Sequence, residues 1–400
     1  MIPKASVARR IDALAVRGPY RGASGHDHHV REFVRHLARY GVRLHLVDIP
    51  EWGPVKLPDG ATDPWFDTLS EPVEAEIALH FCMPHQVVRA PGSLVVNYTM
   101  FEASRIPPPW VEHGLGHARV VVPTESSRQA WLAGGMPAER VRLCPLGVDT
   151  ARFRPDARPL DLVDRRGRAV RDYRTRVLNV SEVTSRKNLL TLLRIWIEAT
   201  SAGDDAILVM KLGRSRAGAT VALMRDLDAA ERAMGKSRRD AAPILFLDRV
   251  LADGEMPGLF AAASHYWSMS RGEGWDLPMV EAAATGLRLI APRHSAYTAY
   301  LDDSVATMLP ARPVPALVEG DAATQRLFEG SLWWEPDEDA AVAAIRGVLE
   351  GTDDALASPR ARVVPALSWT ASTARLLEIL EEVAGAPPSG HGDRAQGVRR

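Results

Sequence analysis

Two glutamates, Glu273 and Glu281, stand eight positions apart in the stretch GEGWDLPMVEAAATG, residues 272–286. The strand-like run HYWSMS comes just before it, so RGEGW reads as the loop leaving a strand. LPMVEAAAT then reads as a helix, with Asp276 expected as its N-cap, Pro278 near its first position and Gly286 as its stop. The free N–H groups of such a first turn, together with the helix dipole, suit an anion such as a phosphate. Glu281, one turn inside the helix, is placed to accept hydrogen bonds from a vicinal diol such as a ribose. Glu273 could do the same for a sugar. The plain alternative is an ordinary helix with one capping and one surface acid, and the two glutamates alone do not exclude it.

A second candidate is the Gly-rich loop GPYRGASGHDHHV, where Ser24 and Gly25 would let backbone approach a phosphate or an acceptor. Its spacing is not the dinucleotide GxGxxG, and no Lys-Ser/Thr follows as a P-loop needs. His26, His28 and His29 raise the question of a metal, but a helix start is expected to put them on different faces; no metal site is expected, and His26 is kept as an acceptor contact. The Asp-x-Asp pairs Asp226/Asp228 and Asp337/Asp339 lie in polar, helix-like context and read as solvated faces. Cys82 and Cys144 lack metal-ligand spacing and read as buried small hydrophobes in a reducing compartment.

The elements that must position these groups follow a β/α rhythm. RIDALAV, VRLHLVDI, EIALHFC, SLVVNYT, ARVVVPT and VRLCPLG are apolar runs bounded by Gly, Pro or polar residues. HVREFVRHLARYG carries Val30, Phe33, Val34 and Leu37 on one helical face. The rhythm breaks at about residues 151–174, charged and proline-bearing, which reads as an interdomain linker. A second series follows: VLNVSE, AILVMKLG, PILFLDRV, HYWSMS and LRLIAPR. Near-continuous apolar strands alternating with helices argue for parallel sheets covered on both faces, with ligands beyond the strands' carboxyl ends. At 400 residues, two α/β domains facing across a cleft are expected. A formal charge of −1 gives no electrostatic case for nucleic acid. No stretch approaches the roughly 20 apolar residues of a membrane span, and MIPKASVARRIDALAV is too broken for a signal peptide, so a cytoplasmic protein is expected.

Several stretches in order resemble the family-4 retaining glycosyltransferases, which have the GT-B fold. GEGWDLPMVEAAATG looks like that family's two-glutamate signature. VVVPTESSRQAWLAGGMPAERVRLCPLGVDTARFRP is similar to its segment before the interdomain linker, and VSEVTSRKNLLTLL to the first strand–loop–helix of its second domain. YTMFEASRIPPPW and SLWWEPDEDAAVAAI are similar to one branch of the family. The resemblance covers roughly residues 18–380.

The resemblance implies an N-terminal Rossmann-like acceptor domain over 1–165 and a nucleotide-sugar domain over 166–366. A C-terminal helix over 367–385 would return to the first domain, and 386–400 reads as a disordered tail. It implies transfer of a sugar from a nucleoside diphosphate sugar to an acceptor hydroxyl with retained configuration, and no cofactor or metal. Glu281 would hold the donor ribose and Glu273 the sugar near its reacting carbon. The backbone of Gly274, Leu277 and Pro278 would follow the diphosphate, Leu212 and Val250 would flank the base, and Lys187 would stabilise the leaving diphosphate. Three positions depart from the family. Glu182 replaces an arginine, so Arg186 or Arg271 would supply the second cation. Thr99-Met100-Phe101-Glu102 lacks the usual histidine, so Glu102 or His85 would stand in. Asp276 stands where glycine is usual. Donor base, donor sugar, acceptor and oligomeric state are not legible, and weak membrane-surface association stays open for a lipid-linked acceptor. The same fold could carry a nucleotide-sugar epimerase, a phosphorylase or a non-catalytic binder.

Overall fold

The computed structural model describes residues 10–53, 55–213, 218–320, 322–352 and 356–385. The expected tail at 386–400 lies outside them. Two six-stranded parallel sheets form the frame. The first contains β1 (Ala13–Arg17), β2 (Arg43–Val47), β3 (Ile77–Phe81), β4 (Leu94–Tyr98), β5 (Arg119–Val122) and β6 (Val141–Leu143), in the order β2-β1-β3-β4-β5-β6. The second contains β7 (Thr175–Ser181), β8 (Ala206–Leu212), β9 (Ile244–Leu247), β10 (His265–Trp267), β11 (Arg288–Pro292) and β12 (Thr307–Leu309), in the order β12-β11-β10-β7-β8-β9. β3 and β8 are buried at every residue, as strands covered on both faces must be.

The helices are α1 (Gly25–Arg39), α2 (Pro108–Leu115), α3 (Glu125–Ala133), α4 (Leu189–Ala199), α5 (Ala219–Met234), α6 (Met256–Ala261), α7 (Leu277–Thr285), α8 (Ala322–Phe328), α9 (Glu338–Glu350), α10 (Pro359–Ala366) and α11 (Trp369–Gly385). No described helix is long and apolar enough to cross a membrane. Each sheet reverses its winding once, between β1 and β3 and between β7 and β10, and the loops leaving those strands line the cleft between the two halves.

Residues 158–173 are hydrogen-bonded onto the second half, with Leu160 N to Gly258 O at 2.8 Å. α10 lies against α7, and the chain then crosses back. Val148 N donates to Leu367 O at 3.0 Å, Trp369 packs edge-on to Phe33 at 5.4 Å, and Arg142 pairs with Glu382 at 3.0 Å. The C-terminal helix α11 therefore closes on the first domain, as the resemblance implied.

One arm was not anticipated. β13 (Ala311–Pro315) and β14 (Leu332–Pro336) form an antiparallel pair outside both sheets. Pro313 and Pro315 hide the strand in the sequence, because proline breaks the ladder and is confined to edges. The arm reaches the first domain: Ser104 N donates to Leu332 O at 3.0 Å, and Phe101 stacks on Phe328 at 4.9 Å.

Candidate functional site

The loop after β10 touches the loop after β4 of the other domain. A Cβ on Gly272 would stand 2.3 Å from the Glu102 carbonyl oxygen, and one on Gly274 would stand 2.8 Å from the Met100 Cβ. No side chain fits there, so these two glycines let the domains close. Gly274 is spent on that contact and does not line the donor cavity described below.

Behind this contact lies a buried charge cluster. β7 leads into a short turn, Ser185–Lys187, and Asn188 in a left-handed conformation (φ 56°) redirects the chain into α4. Lys187 Nζ is 2.5 Å from Glu273 Oε1, and Arg186 Nη1 is 2.8 Å from Glu273 Oε2. Arg186 Nη2 reaches Glu102 Oε1 at 3.6 Å. Burial alone would raise the Glu273 carboxyl, but Arg186 and Lys187 outweigh it and hold the group down at about 2. Burial works against the Arg186 charge too, and Glu273 and Glu102 reverse that, raising its pKa. The backbone N–H of Glu273 donates to Ser295 Oγ at 3.2 Å. Arg271 is not a free second cation: it pairs with Glu335 at 2.6 Å and donates to Ser185 O at 2.8 Å. Of the two expected alternatives, only Arg186 stands beside Lys187.

Asp276 corrects an expectation. It precedes α7 but does not cap it with its side chain; its backbone is left-handed (φ 68°, ψ 75°) and its carboxylate turns away. Oδ2 accepts from the Tyr297 hydroxyl at 2.7 Å, which also bonds Ser268 Oγ at 2.7 Å. Burial pushes this carboxyl up to about 6, with Lys187 opposing and Glu273 assisting. Positive φ explains why glycine would be usual here, and aspartate is among the few other residues that tolerate it. The first turn of α7 has no side-chain cap. Met279 N and Val280 N both donate to Asp276 O, at 3.2 and 3.4 Å, and Pro278 has no N–H, which leaves the Leu277 N–H as the donor of this turn with no backbone acceptor among the described bonds.

The N-termini of α1 and α7 meet across a cavity of about 390 Å³. Ser24 caps α1 by accepting from Asp27 N at 3.2 Å, and Asp27 folds the loop back by accepting from Gly22 N at 2.7 Å. A Cβ on Gly25 would lie 3.6 Å from Leu277 Cδ1. Ser24, Gly25, Leu212, Val250, Leu277, Pro278 and Glu281 all line the cavity, as do Lys211 and Asp248, which sequence reasoning missed.

Glu281 is 6% exposed. Burial raises its carboxyl to about 7, although nearby His28 pulls the other way. His28 Nε2 is 4.0 Å from Glu281 Oε1, and its Nδ1 is 3.5 Å from Asp253 Oδ2. Arg31, fully buried on α1, holds Asp253 by two bonds of 3.0 and 3.1 Å and donates to Tyr20 O and Gly22 O at 2.8 Å each. Burial would raise Asp253, but His28 and Arg31 hold it far below the usual carboxylate range. A clasp of four charged or polar groups thus joins the two domains beside the cavity. His28 and Arg31 are three apart, one helical face, so the pairing on α1 was readable; their partners on the other domain were not.

Of the histidines expected at the site, His26, His29 and His85 do not converge on it, whereas His294, not anticipated, contacts Ser270 O at 2.7 Å and Ser295 Oγ at 2.8 Å beside Glu273. His26 stacks on Trp52 at 4.3 Å, and burial lowers it to about 4. Its ring also meets His29 at 4.3 Å, so the two share a face, contrary to the expectation of different faces. His85 is exposed and stacks on Trp110 at 5.6 Å. Glu102, not His85, stands beside the charge cluster. Among the described residues no group of three or more His, Cys, Asp or Glu could hold a metal. Asp337 instead caps α9, accepting from Ala340 N at 2.8 Å, and Asp228 pairs with Arg238.

No family model matches the chain, and no curated protein matches its sequence. Solved structures match its fold. HepE from Anabaena in complex with UDP and glucose superposes with a TM-score of 0.64 at 11% identity, over 92% of this chain and 99% of that one. A sucrose-phosphate synthase from Thermosynechococcus elongatus gives 0.62 at 13%, over 94% and 100%. A glycosyltransferase from Rickettsia africae gives 0.58 at 13%, over 94% and 99%. At such identities the likeness is one of architecture, and the architecture is GT-B.

Proposed function

We propose that this protein is a retaining glycosyltransferase that moves a sugar from a nucleoside diphosphate sugar to an acceptor hydroxyl. The observation that carries the reading is the meeting of two helix N-termini over one cavity, with Glu281 on its wall and the Lys187–Arg186–Glu273 cluster next to it. The Leu277 N–H and the positive end of the α7 dipole would meet the diphosphate. Glu281 would accept from the ribose hydroxyls. Lys187 would exchange Glu273 for the leaving phosphate, where charge grows most in the transition state. Glu273, so released, would accept from hydroxyls of the transferred sugar.

The reacting sugar carbon breaks its bond to the phosphate oxygen and forms one to the acceptor oxygen on the same face. The acceptor proton passes to the departing phosphate. This suits a site whose nearest carboxylate, Glu273, is held at about 2 and is a poor base. Domain closure at Gly272 and Gly274 would exclude water as a competing acceptor. HepE, a fold neighbour, is seen with UDP and glucose, which agrees with a nucleotide-sugar site here.

The test is release of nucleoside diphosphate from a panel of donors and acceptors, with the product anomer assigned by NMR. Transfer is expected to persist in EDTA. Lys187→Ala and Glu281→Ala should each lose at least about tenfold in rate with the circular dichroism spectrum unchanged. Near-wild-type rates in both variants would remove the site assignment. Epimerisation without an acceptor, or consumption of inorganic phosphate, would replace transfer with those chemistries. Binding without turnover under every condition would make the protein a non-catalytic binder.

A further inference from the structure

Glu273 stands between two glycines, Gly272 and Gly274. Neighbours without a Cβ restrain a main chain least, so the position of Glu273 must be fixed from outside its loop. The one hydrogen bond described at its main chain is the N–H donated to Ser295 Oγ at 3.2 Å. Ser295 lies in the loop after β11 and holds a left-handed backbone (φ 40°). Among the described residues, the non-glycine residues with positive φ are Asn188, Asp276 and Ser295, and all of them border the charge cluster. Such a backbone costs free energy and persists only where its surroundings impose it.

Behind Ser295 the His294 ring is 4% exposed. Its hydrogens follow from valence. A carbonyl oxygen only accepts, so the 2.7 Å contact between His294 Nε2 and Ser270 O puts a hydrogen on Nε2. The neutral ring then has its lone pair on Nδ1, which takes the Ser295 hydroxyl hydrogen at 2.8 Å. The Ser295 oxygen keeps its lone pairs for the Glu273 N–H. Burial keeps the ring neutral, lowering it to about 4 although the Ser270 carbonyl and the Glu273 charge favour the cation. The ring is itself clamped, stacked on Trp334 of β14 at 5.4 Å and edge-on to Tyr297 at 5.5 Å. His294 thus grips the loop at both ends, directly at Ser270 and through Ser295 at Glu273.

We propose that His294 and Ser295 are positioning residues for the transfer: they fix the main chain of Glu273 so that its carboxylate changes partners on a still backbone. The inference rests on the transferase reading above. There Glu273 leaves Lys187 for sugar hydroxyls, a change its side-chain torsions can make while its Cα stays in place. A main chain that drifts by about 1 Å between two glycines loses the second position, and a misplacement of that size costs up to about 100-fold in rate. Neither residue lines the donor cavity, so nucleotide affinity does not depend on them directly.

The experiment measures kcat, donor KM and nucleoside diphosphate affinity of the full chain in Ser295→Gly, His294→Asn and His294→Leu, with the donor and acceptor found by the panel above. Glycine takes positive φ without strain, so Ser295→Gly removes the hydroxyl without forcing the fold, and its melting point should stay within a few degrees of wild type. Its kcat should fall about tenfold or more, with donor KM and nucleotide affinity within about threefold. Hydrogen exchange at the Glu273 amide should quicken by about tenfold or more. Asparagine keeps an acceptor near the Nδ1 position, whereas leucine fills the space and offers none. His294→Asn should therefore transfer at least about threefold faster than His294→Leu, although leucine packs better. The reverse order would make the ring a packing group and overturn the inference. An unchanged kcat or unchanged Glu273 exchange in Ser295→Gly would overturn it too, as would a loss carried by KM alone, and each leaves the transfer reading standing. Ser295→Gly decides the matter even where a variant of the buried His294 fails to fold. A wild type that transfers no sugar from any donor would overturn the transfer reading itself, and this role with it.

Discussion

Glu281→Gln should stabilise the protein strongly at pH 8, only about a quarter as much at pH 5, and damage nucleotide binding. Burial pushes the Glu281 carboxyl up to about 7, from 4.5 for a solvated glutamate. Its folded pKa is thus above its unfolded one. Between those values the native state keeps a proton that the unfolded chain releases, so stability falls as pH rises through the window from 4.5 to about 7 and stays lower above it. At about 1.4 kcal/mol per pKa unit, the ionised carboxylate destabilises the native state by about 3 kcal/mol at pH 8. Glutamine has the shape of the protonated acid and no charge to desolvate, so that destabilisation disappears. For a domain of roughly 200 residues the melting point should rise by roughly 7 to 13 degrees at pH 8 and by roughly 2 to 3 degrees at pH 5, where the ionised form still costs about 0.8 kcal/mol. Thermal denaturation of both proteins at the two pH values measures this. Equal shifts at both, or a larger one at pH 5, would refute the argument from burial. The ribose hydroxyls would favour the ionised form, so nucleotide binding at pH 6 should release up to one proton in wild type and none in the variant. Titration in buffers of different ionisation enthalpy reads that count.

Gly272→Ala places a methyl group 2.3 Å from the Glu102 carbonyl oxygen, which is backbone and cannot swing away. The domains should part, with loss of transfer by about tenfold or more, an overpacking penalty of about 1–3 kcal/mol, and an increased radius of gyration in solution scattering. An unchanged radius with full activity would show that the contact at Gly272 does not set closure. Glu273, held at about 2 by its two cations, contributes stability that is present above its unfolded value of 4.5 and lost as pH falls toward 2. Glu273→Gln should therefore flatten the acid limb of the stability profile between pH 5 and 2, measured by urea unfolding; an unaltered limb would contradict the ion-pair assignment.

Most of the frame was legible because its signals are local. The alternation of apolar runs with amphipathic helices marked eleven of the strands, and Pro278 and Gly286 bound α7 as capping rules require. Asp276 failed as a cap because its backbone is set by the loop's packing on the other domain, and its carboxylate by Tyr297, 21 positions on. Lys187 was found from motif order, but its partner Glu273 lies 86 positions away and only the fold joins them. Arg31 and Asp253 are 222 apart on opposite domains; the spacing of His28 and Arg31 on α1 is local, but nothing local points to Asp253. Lys211 was hidden inside an apolar run, AILVMKLG, where a lone lysine looks like the end of a strand. His26 and His29 are a different kind of miss, since spacing of three on a helix already puts two rings together.

The charge cluster also explains how a closed cleft can exist before a diphosphate arrives. Arg186 and Lys187 are neighbours in one turn of the second domain, and two buried cations there would repel each other without a counter-charge. Glu273 bridges them and Glu102, from the other domain, adds a second carboxylate. On the proposed reading, a diphosphate entering at the α7 N-terminus would bring charge of the same sign as Glu273 to the same cations and would compete with it. The exchange would conserve local charge balance at Lys187 and would free an ionised carboxylate next to the reacting sugar. Asp276 can sit within this crowd only because burial keeps it largely protonated below about pH 6 and because its hydrogen bond runs to Tyr297, away from the phosphate position. Glycine would leave the diphosphate a wider berth. Aspartate narrows it, and ties the loop that carries Glu273 to the strand end at Ser268.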